Sequence, residues 1–366
     1  MFFSLQIIVY ERKIIIFAIN MERKLQIVFI MNPISGTIKK AGIPSLIEKY
    51  LNKNKFEYNI RYTEYAGHAT IIAKEASESN ADIVVAVGGD GTINEVGRAL
   101  IQTNTAMAII PCGSGNGLAR HLMIPINIRK AINIINQCEI HHLDYGLIND
   151  TPFFCTCGMG FDAFISMKFA EGNKRGPIKY MEHVLKEGLR YKPEIYTVED
   201  ETGTTKRYKA YLISCANASQ YGNNAYIAPQ ASMSDGLMDV IIMEPFDILD
   251  APQVSFDMMN KTLNKSSKIK TFRSKQIHIK RSKPGPIHYD GDPAQFGEDI
   301  TIKLIEKGIK IVVNPEANKQ LRQPNMVQNV LTELFNNIST VRSDITRQGR
   351  RLMAMNKLLW RRLNNK

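Results

Sequence analysis

The chain has 366 residues, 44% of them hydrophobic, and a formal net charge of +12. That composition supplies packed cores for about two domains and excludes a long disordered or low-complexity chain. The basic excess favours an acidic partner such as a nucleotide, a nucleic acid or an anionic membrane. Five cysteines, an odd number with no CxxC pair, read as reduced core thiols of a cytosolic protein rather than as a disulfide framework or a metal site.

Residues 1–20 are apolar but broken by Glu11-Arg12-Lys13, so no run is long enough to span a bilayer. They show no small-residue cleavage site. Met21-Glu22-Arg23-Lys24 is the more natural beginning, and 1–20 are expected to be a non-native or disordered extension. Leu25–Met31 is the first strand and ends in the turn formers Asn32-Pro33-Ile34-Ser35-Gly36-Thr37. A helix through Leu46 and Leu51, a strand Phe56–Thr63 and a helix opened by Gly67-His68-Ala69-Thr70 follow. The valine-rich run Val84–Val87 then enters Gly88-Gly89-Asp90-Gly91-Thr92, after which Ile93, Val96 and Leu100 take up helical spacing. Thr105–Ile110 is the next strand and leads into Pro111-Cys112-Gly113-Ser114-Gly115-Asn116-Gly117-Leu118-Ala119-Arg120. Strands alternating with helices predict, over 21–145, an α/β domain with a parallel sheet and its ligand loops gathered at the strand C-termini.

A glycine-rich turn from strand to helix lets backbone N–H groups approach a phosphate, and the helix N-terminus adds partial positive charge. Asp90 is out of place there, because a carboxylate repels phosphate unless a cation, a water or a substrate hydroxyl separates them. The stretch therefore points to phosphate chemistry as well as phosphate binding.

Beyond Leu143-Asp144-Tyr145-Gly146 the pattern changes to strands separated by turns: Phe153–Cys157, Ile195–Val198, Tyr208–Cys215, Leu237–Met243, Gln276–Ile279 and Ile300–Leu304. With a helical insertion at Ile178–Leu189, this predicts a β-rich sandwich over 146–318. The tail, 319–366, spaces Ile338, Val341, Ile345, Leu352, Met355, Leu359 and Leu363 as a helix and carries more than half of the net charge. A basic amphipathic helix of this kind lies on anionic lipid, packs on the body or pairs with a second copy, so peripheral membrane contact and a homodimer both stay open. No P-loop, no H-R-D with D-F-G and no H-E-x-x-H is present.

Five segments together carry a resemblance: NPISG at 32–36, GGDGT at 88–92, PCGSGNGLAR at 111–120, SMSDGLMDV at 232–240 and DGD at 290–292. In this order they resemble the diacylglycerol kinase catalytic family, which includes soluble bacterial lipid kinases and the related sphingosine and ceramide kinases. The resemblance implies an ATP- and magnesium-dependent lipid kinase with ATP between two domains and the lipid approaching from the second. Asn32, Ser35, Gly36, Thr63, Gly88, Gly89, Asp90, Gly91, Thr92, Ile93 and Asn94 are expected to line the nucleotide, with Gly113, Ser114 and Asn116 beside them. Ser232, Asp235 and Leu237 resemble the family's structural magnesium site, where one carboxylate and backbone carbonyls hold the ion. DGD stands where the family has DGE. Asp292 is then the acceptor for the proton of the attacking hydroxyl, and Asp290 its structural or metal-network neighbour. Asp90 is the competing candidate, or else the nucleotide-side end of an aspartate, water and magnesium network across the cleft.

Gly160-Phe161-Asp162-Ala163 resembles the lipid-side GFDA segment, and Phe164 stands where sphingosine kinases carry an acid for the substrate amine. Diacylglycerol is accordingly the expected lipid, with a sphingoid or ceramide-type lipid as the alternative. An NAD kinase would share GGDGT but lack the PCGSGNGLAR and SMSDGL segments. A lipid-binding regulatory protein with a degenerate site would bind ATP without turnover. Nucleic acid is not expected, since the basic excess sits largely in the tail without a recognition motif. The expected location is the cytoplasm, with peripheral contact at the inner membrane surface.

Overall fold

The computed structural model describes residues 4–10, 13–19, 23–33, 40–171, 191–246 and 250–317. Ser35 and Gly36, the insertion expected at Ile178–Leu189 and the tail 319–366 lie outside the described residues. Near the N-terminus, β1 (Ser4–Tyr10) and β2 (Lys13–Ile19), within the stretch read as a non-native or disordered extension, pair antiparallel.

The first half alternates as its pattern predicts: β3 (Leu25–Met31), α1 (Ile43–Tyr50), β4 (Phe56–Tyr62), α2 (His68–Glu78), β5 (Ile83–Gly88), α3 (Asp90–Leu100), β6 (Ala106–Pro111), α4 (Gly117–His121) and α5 (Ile128–Gln137). β4, β3, β5 and β6 lie side by side in that order, all parallel. β5 and β6 are buried throughout, as a strand covered on both faces must be. Because β3 has its successor β4 on one side and β5 on the other, the strand order reverses between β3 and β5, and a crevice opens at their C-terminal ends. The turn after β5 is Gly88-Gly89-Asp90, so the topology delivers that turn to the crevice.

The second half runs β7 (Ile140–Ile148), β8 (Thr151–Phe153), β9 (Thr156–Gly160), α6 (Phe161–Glu171), β10 (Glu194–Asp200), β11 (Thr205–Ala210), β12 (Leu212–Ala216), β13 (Met238–Met243), β14 (Ile269–Ser274), β15 (Gln276–Arg281), β16 (Gly285–Tyr289), β17 (Asp292–Phe296) and β18 (Asp299–Val312). β14, β13, β12, β9, β16 and β17 form one antiparallel sheet, which packs on β10, β15 and β18 through Met159, Ile213, Val240, Tyr196, Ile279 and Ile302. The expected strand Phe153–Cys157 is two strands with a turn at Phe154-Cys155, and Tyr208–Cys215 divides at Tyr211 between the two sheets. A chain that leaves one sheet for the other must break its ladder, and hydrophobic alternation does not record where.

β18 joins the two halves. Its first part pairs with β15, and its last part lies parallel to β6, with Ile311 opposite Met107. Between them a bulge at Ile305–Ile309 carries Lys307 at φ 53° and a glycine, Gly308, whose Cβ would fall 2.3 Å from the Tyr145 ring. Asp144, almost fully buried, accepts the Lys307 N–H at 2.7 Å and thereby fixes the bulge. Met1–Pro315 accordingly make one compact unit, and the expected division near 145 falls inside β7. Among the described residues no helix is long and apolar enough to cross a membrane.

Candidate active site

Two glycine loops interlock at the end of β5. The Cys112 N–H donates to the Gly88 carbonyl at 2.7 Å, and a Cβ on Gly113 would lie 2.7 Å from the Gly89 Cα. Asp90 ties the loops electrostatically: Oδ2 accepts the Asn116 N–H at 2.8 Å and Oδ1 the Gly117 N–H at 2.7 Å. A carboxylate on orphan helix-terminal N–H groups is a favourable pairing, and it occupies both oxygens of Asp90. Asn116 turns back on its own loop, accepting from the Gly113 N–H and donating to the Gly113 carbonyl, with its backbone in the left-handed region.

The residues expected to line a nucleotide therefore divide. Gly88, Gly113 and Gly115 are small because a Cβ would strike Thr92, Gly89 or the Asp90 carboxylate. Thr92, Ile93 and Asn94 are buried, and Ile93 belongs to the hydrophobic core. Their placement makes them supports of the helix and not its exposed rim. Gly91 is different. It is exposed, and among the described residues a Cβ there would meet nothing within 4 Å, so packing among them gives no reason for glycine. A ligand approaching the first turn of α3 would give one.

Asn32 and Thr63 close the crevice from β3 and β4. The Asn32 N–H reaches the Val87 carbonyl at 3.4 Å, and Thr63 is buried with its N–H on the Met31 carbonyl at 3.0 Å. A residue missed from the sequence, Lys40, donates Nζ to the Asn32 carbonyl. Burial lowers its pKa from the ordinary lysine value. Nothing in a Lys39-Lys40 pair marks either residue as buried.

The DGD segment turns between β16 and β17, with Asp290 and Gly291 both at positive φ. Asp290 is structural in its contacts: its carboxylate accepts N–H bonds from Phe154 at 2.7 Å, Cys155 at 2.7 Å and Thr156 at 3.1 Å. Burial outweighs those three bonds and pushes its pKa up to about 6. Asp292 is half exposed and pairs through Oδ2 with Arg98 Nη2 at 3.0 Å. Among the described residues its Oδ1 has no partner. Arg98 was not singled out from the sequence, since an arginine in the last turn of a helix ordinarily reads as solvated. Here it reaches from α3 to Asp292, stacks over the Tyr289 ring at 4.9 Å and touches the Pro152 carbonyl.

On the outer face of the six-stranded sheet, Asp162 Oδ2 meets His288 Nε2 and the Tyr221 hydroxyl, each at 3.0 Å. His288 is buried, and its Nδ1 has no hydrogen-bond partner among the described residues. The ring leans over Gly158, where a Cβ would come within 2.9 Å of Nε2. Beside them Phe161 and Tyr211 pack at 4.7 Å, Tyr211 and Phe246 at 5.1 Å, and Phe164 and Tyr191 at 5.6 Å, an aromatic wall next to a polar floor. His121, whose pKa burial lowers to about 4, bonds to Ser219 and has a structural place.

The expected magnesium loop does not present a free carboxylate. Asp235 Oδ2 is paired with Arg273 Nη2 at 2.6 Å, and Oδ1 accepts the Leu237 N–H at 3.2 Å. The Ser232 hydroxyl contacts that of Ser234. The register aligns Asp239, Ala216, Thr156 and Asp290 across neighbouring strands, so the loop and DGD stand three strand spacings, roughly 14 Å, apart. Among the described residues no three acidic, histidine or cysteine side chains converge as a metal would need. The donor set does not fit a metal shared by Asp90, Asp235 and Asp292.

Residues 26–148 match the diacylglycerol kinase catalytic domain, and residues 156–302 match the YegS C-terminal NAD kinase beta sandwich-like domain. A diacylglycerol kinase of Bacillus subtilis (strain 168) is 28% identical over 274 residues, covering 72% of this chain and 88% of its own. One of Staphylococcus saprophyticus is 26% identical over 282 residues, covering 74% and 90%. A solved structure of a diacylglycerol kinase from Bacillus anthracis superposes with a TM-score of 0.63 at 20% identity, covering 81% of this chain and 99% of that one, a likeness of fold. With an interlocked pair of glycine loops at the switch of its parallel sheet, a β-sandwich bearing DGD, and both domain models matched in register, the chain belongs to the diacylglycerol kinase catalytic family.

Proposed function

We propose that this lipid kinase transfers the γ-phosphoryl group of ATP to the hydroxyl of a neutral lipid, diacylglycerol first among them. The observation that carries the reading is the bridge from α3 to DGD. The helix whose first turn carries Gly91 holds, near its other end, the Arg98 that orients Asp292. The nucleotide phosphates rest on the exposed first turn of α3, where backbone N–H groups and the helix dipole favour negative charge. Asp90 acts by holding the second glycine loop against that turn. Asp292 receives the lipid hydroxyl at Oδ1, which has no partner among the described residues, while Arg98 fixes Oδ2. It accepts the proton as the lipid oxygen bonds to the γ-phosphorus and the bond to the β,γ-bridging oxygen breaks, releasing ADP.

Phosphoryl transfer of this kind rests mostly on positioning and charge stabilisation, so a weak, well-oriented base suffices. Magnesium carried in with the nucleotide would neutralise phosphate charge. Phe164 supports a neutral lipid over an amine: the position is aromatic, packed on Tyr191, with the Lys168 ammonium over its ring at 5.8 Å. A cationic headgroup would meet a like charge there. The test is labelled ATP with magnesium against diacylglycerol, ceramide, sphingosine and NAD. Label in diacylglycerol is the expected result, and label in NAD alone would sink the reading.

A further inference from the structure

A structural magnesium ion at a loop such as Ser232–Leu237 needs a free carboxylate oxygen and room for an octahedron of oxygens. This chain meets the loop's need for a cation from within. Arg273, on β14, faces Asp239 of β13 directly across the ladder. Its Nη2 lies 2.6 Å from Asp235 Oδ2 and 3.5 Å from Asp239 Oδ2, and its Nε is 3.5 Å from Asp239 Oδ1. One guanidinium thus lies between two carboxylates, with a short charge-assisted bond to Asp235 and a longer, side-on approach to Asp239.

The remaining acids around the loop are engaged as well. Asp144 takes the Gly236 N–H at 3.0 Å and the Lys307 N–H at 2.7 Å. Glu306, against which a Cβ on Gly236 would press, pairs with Lys275 Nζ at 2.7 Å. An incoming divalent ion would have to displace the guanidinium and then sit beside it, cation against cation.

We infer that the Arg273 guanidinium stands where the resemblance places a structural divalent cation, so that this loop is ordered by the chain itself and takes up no ion. The divalent requirement of the enzyme is then confined to the nucleotide. The inference concerns the ion-free fold and does not depend on which lipid is phosphorylated.

The full-length protein without nucleotide is unfolded thermally in EDTA and in millimolar magnesium, and titrated with manganese while free manganese is read by electron paramagnetic resonance. The two unfolding transitions are expected to coincide, with no manganese held. A transition raised by magnesium, or manganese held, in either case abolished by Asp235→Asn, overturns the inference. Arg273→Gln should unfold earlier in EDTA and recover part of the loss in magnesium, because Asp235 and Asp239 then present free oxygens. An Arg273→Gln protein with the wild-type transition in EDTA overturns it too. Arg273→Lys keeps the charge without the fork and should fall between the two.

Discussion

The two sides of the cleft use the same residue type in opposite ways. On the nucleotide side, Asp90 has both oxygens on backbone N–H groups of the neighbouring loop. On the acceptor side, Asp290 likewise has both oxygens on backbone N–H groups, but Asp292, two residues on, has one oxygen on Arg98 and, among the described residues, no partner on the other. The difference separates architecture from chemistry. A carboxylate with both oxygens on fixed donors holds a loop, and one with an oxygen to spare can receive a proton.

Asp292→Asn attacks that distinction most directly. It should lower turnover by about 10²- to 10⁴-fold, the usual contribution of a positioned base, while leaving ATP binding unchanged. Turnover retained within a few-fold would return the proton to Asp90. The glycines offer a second contrast. Gly113→Ala should loosen the loops and lower the melting temperature, since its Cβ would lie 2.7 Å from the Gly89 Cα. Gly91→Ala should melt as wild type yet bind ATP about tenfold more weakly, a cost of about 1.4 kcal/mol. Equal ATP affinity for Gly91→Ala and wild type would remove the phosphates from that turn.

Arg98→Gln should act more mildly. A partly exposed ion pair contributes about 1 kcal/mol or less, so kcat should fall about three- to fivefold with little change in KM for ATP. Restoration by Arg98→Lys to the full rate would show that charge, and not orientation, is what Asp292 requires.

The smallest effect is one of pH. Burial raises the Asp290 pKa to about 6, so the folded state holds this proton more tightly than the unfolded chain. Its contribution to stability is full below the unfolded carboxylate value and is lost as pH rises through about 6. The melting-temperature advantage of wild type over Asp290→Asn should therefore narrow between pH 4 and 6 and then level. An advantage that widens over that interval would place the group below its ordinary value.

Much of the nucleotide-side fold was legible in the sequence, because its strands are continuous apolar runs and its loops follow directly from them. Val84–Val87 into GGDGT needs no distant partner to be recognised. The acceptor side was less so. β14, β16 and β17 are short, and their order in the sheet depends on pairings far apart in the chain, such as Ile287 with Met159. The same holds for the pairs that complete the site. Arg98 and Asp292 are on different elements, His288 and Asp162 likewise, and Arg273 answers Asp235 only because β14 returns beside β13. Each of these residues is unremarkable in its local context, and only the topology gives it a partner. The DGD segment drew attention to two carboxylates but did not tell that one would be buried on N–H groups and the other left half exposed.

β18 has a consequence for the order in which the protein can be made. β6 finds its outer neighbour only when Ile311 arrives opposite Met107, roughly two hundred residues later in synthesis. Until then the nucleotide-side sheet emerges from the ribosome with a fully apolar strand at an open edge, the kind of edge that recruits other chains. The glycine loops are thus complete in sequence long before the sheet that aims them is closed, and a nascent chain interrupted before β18 would carry both of them on an aggregation-prone, unfinished scaffold.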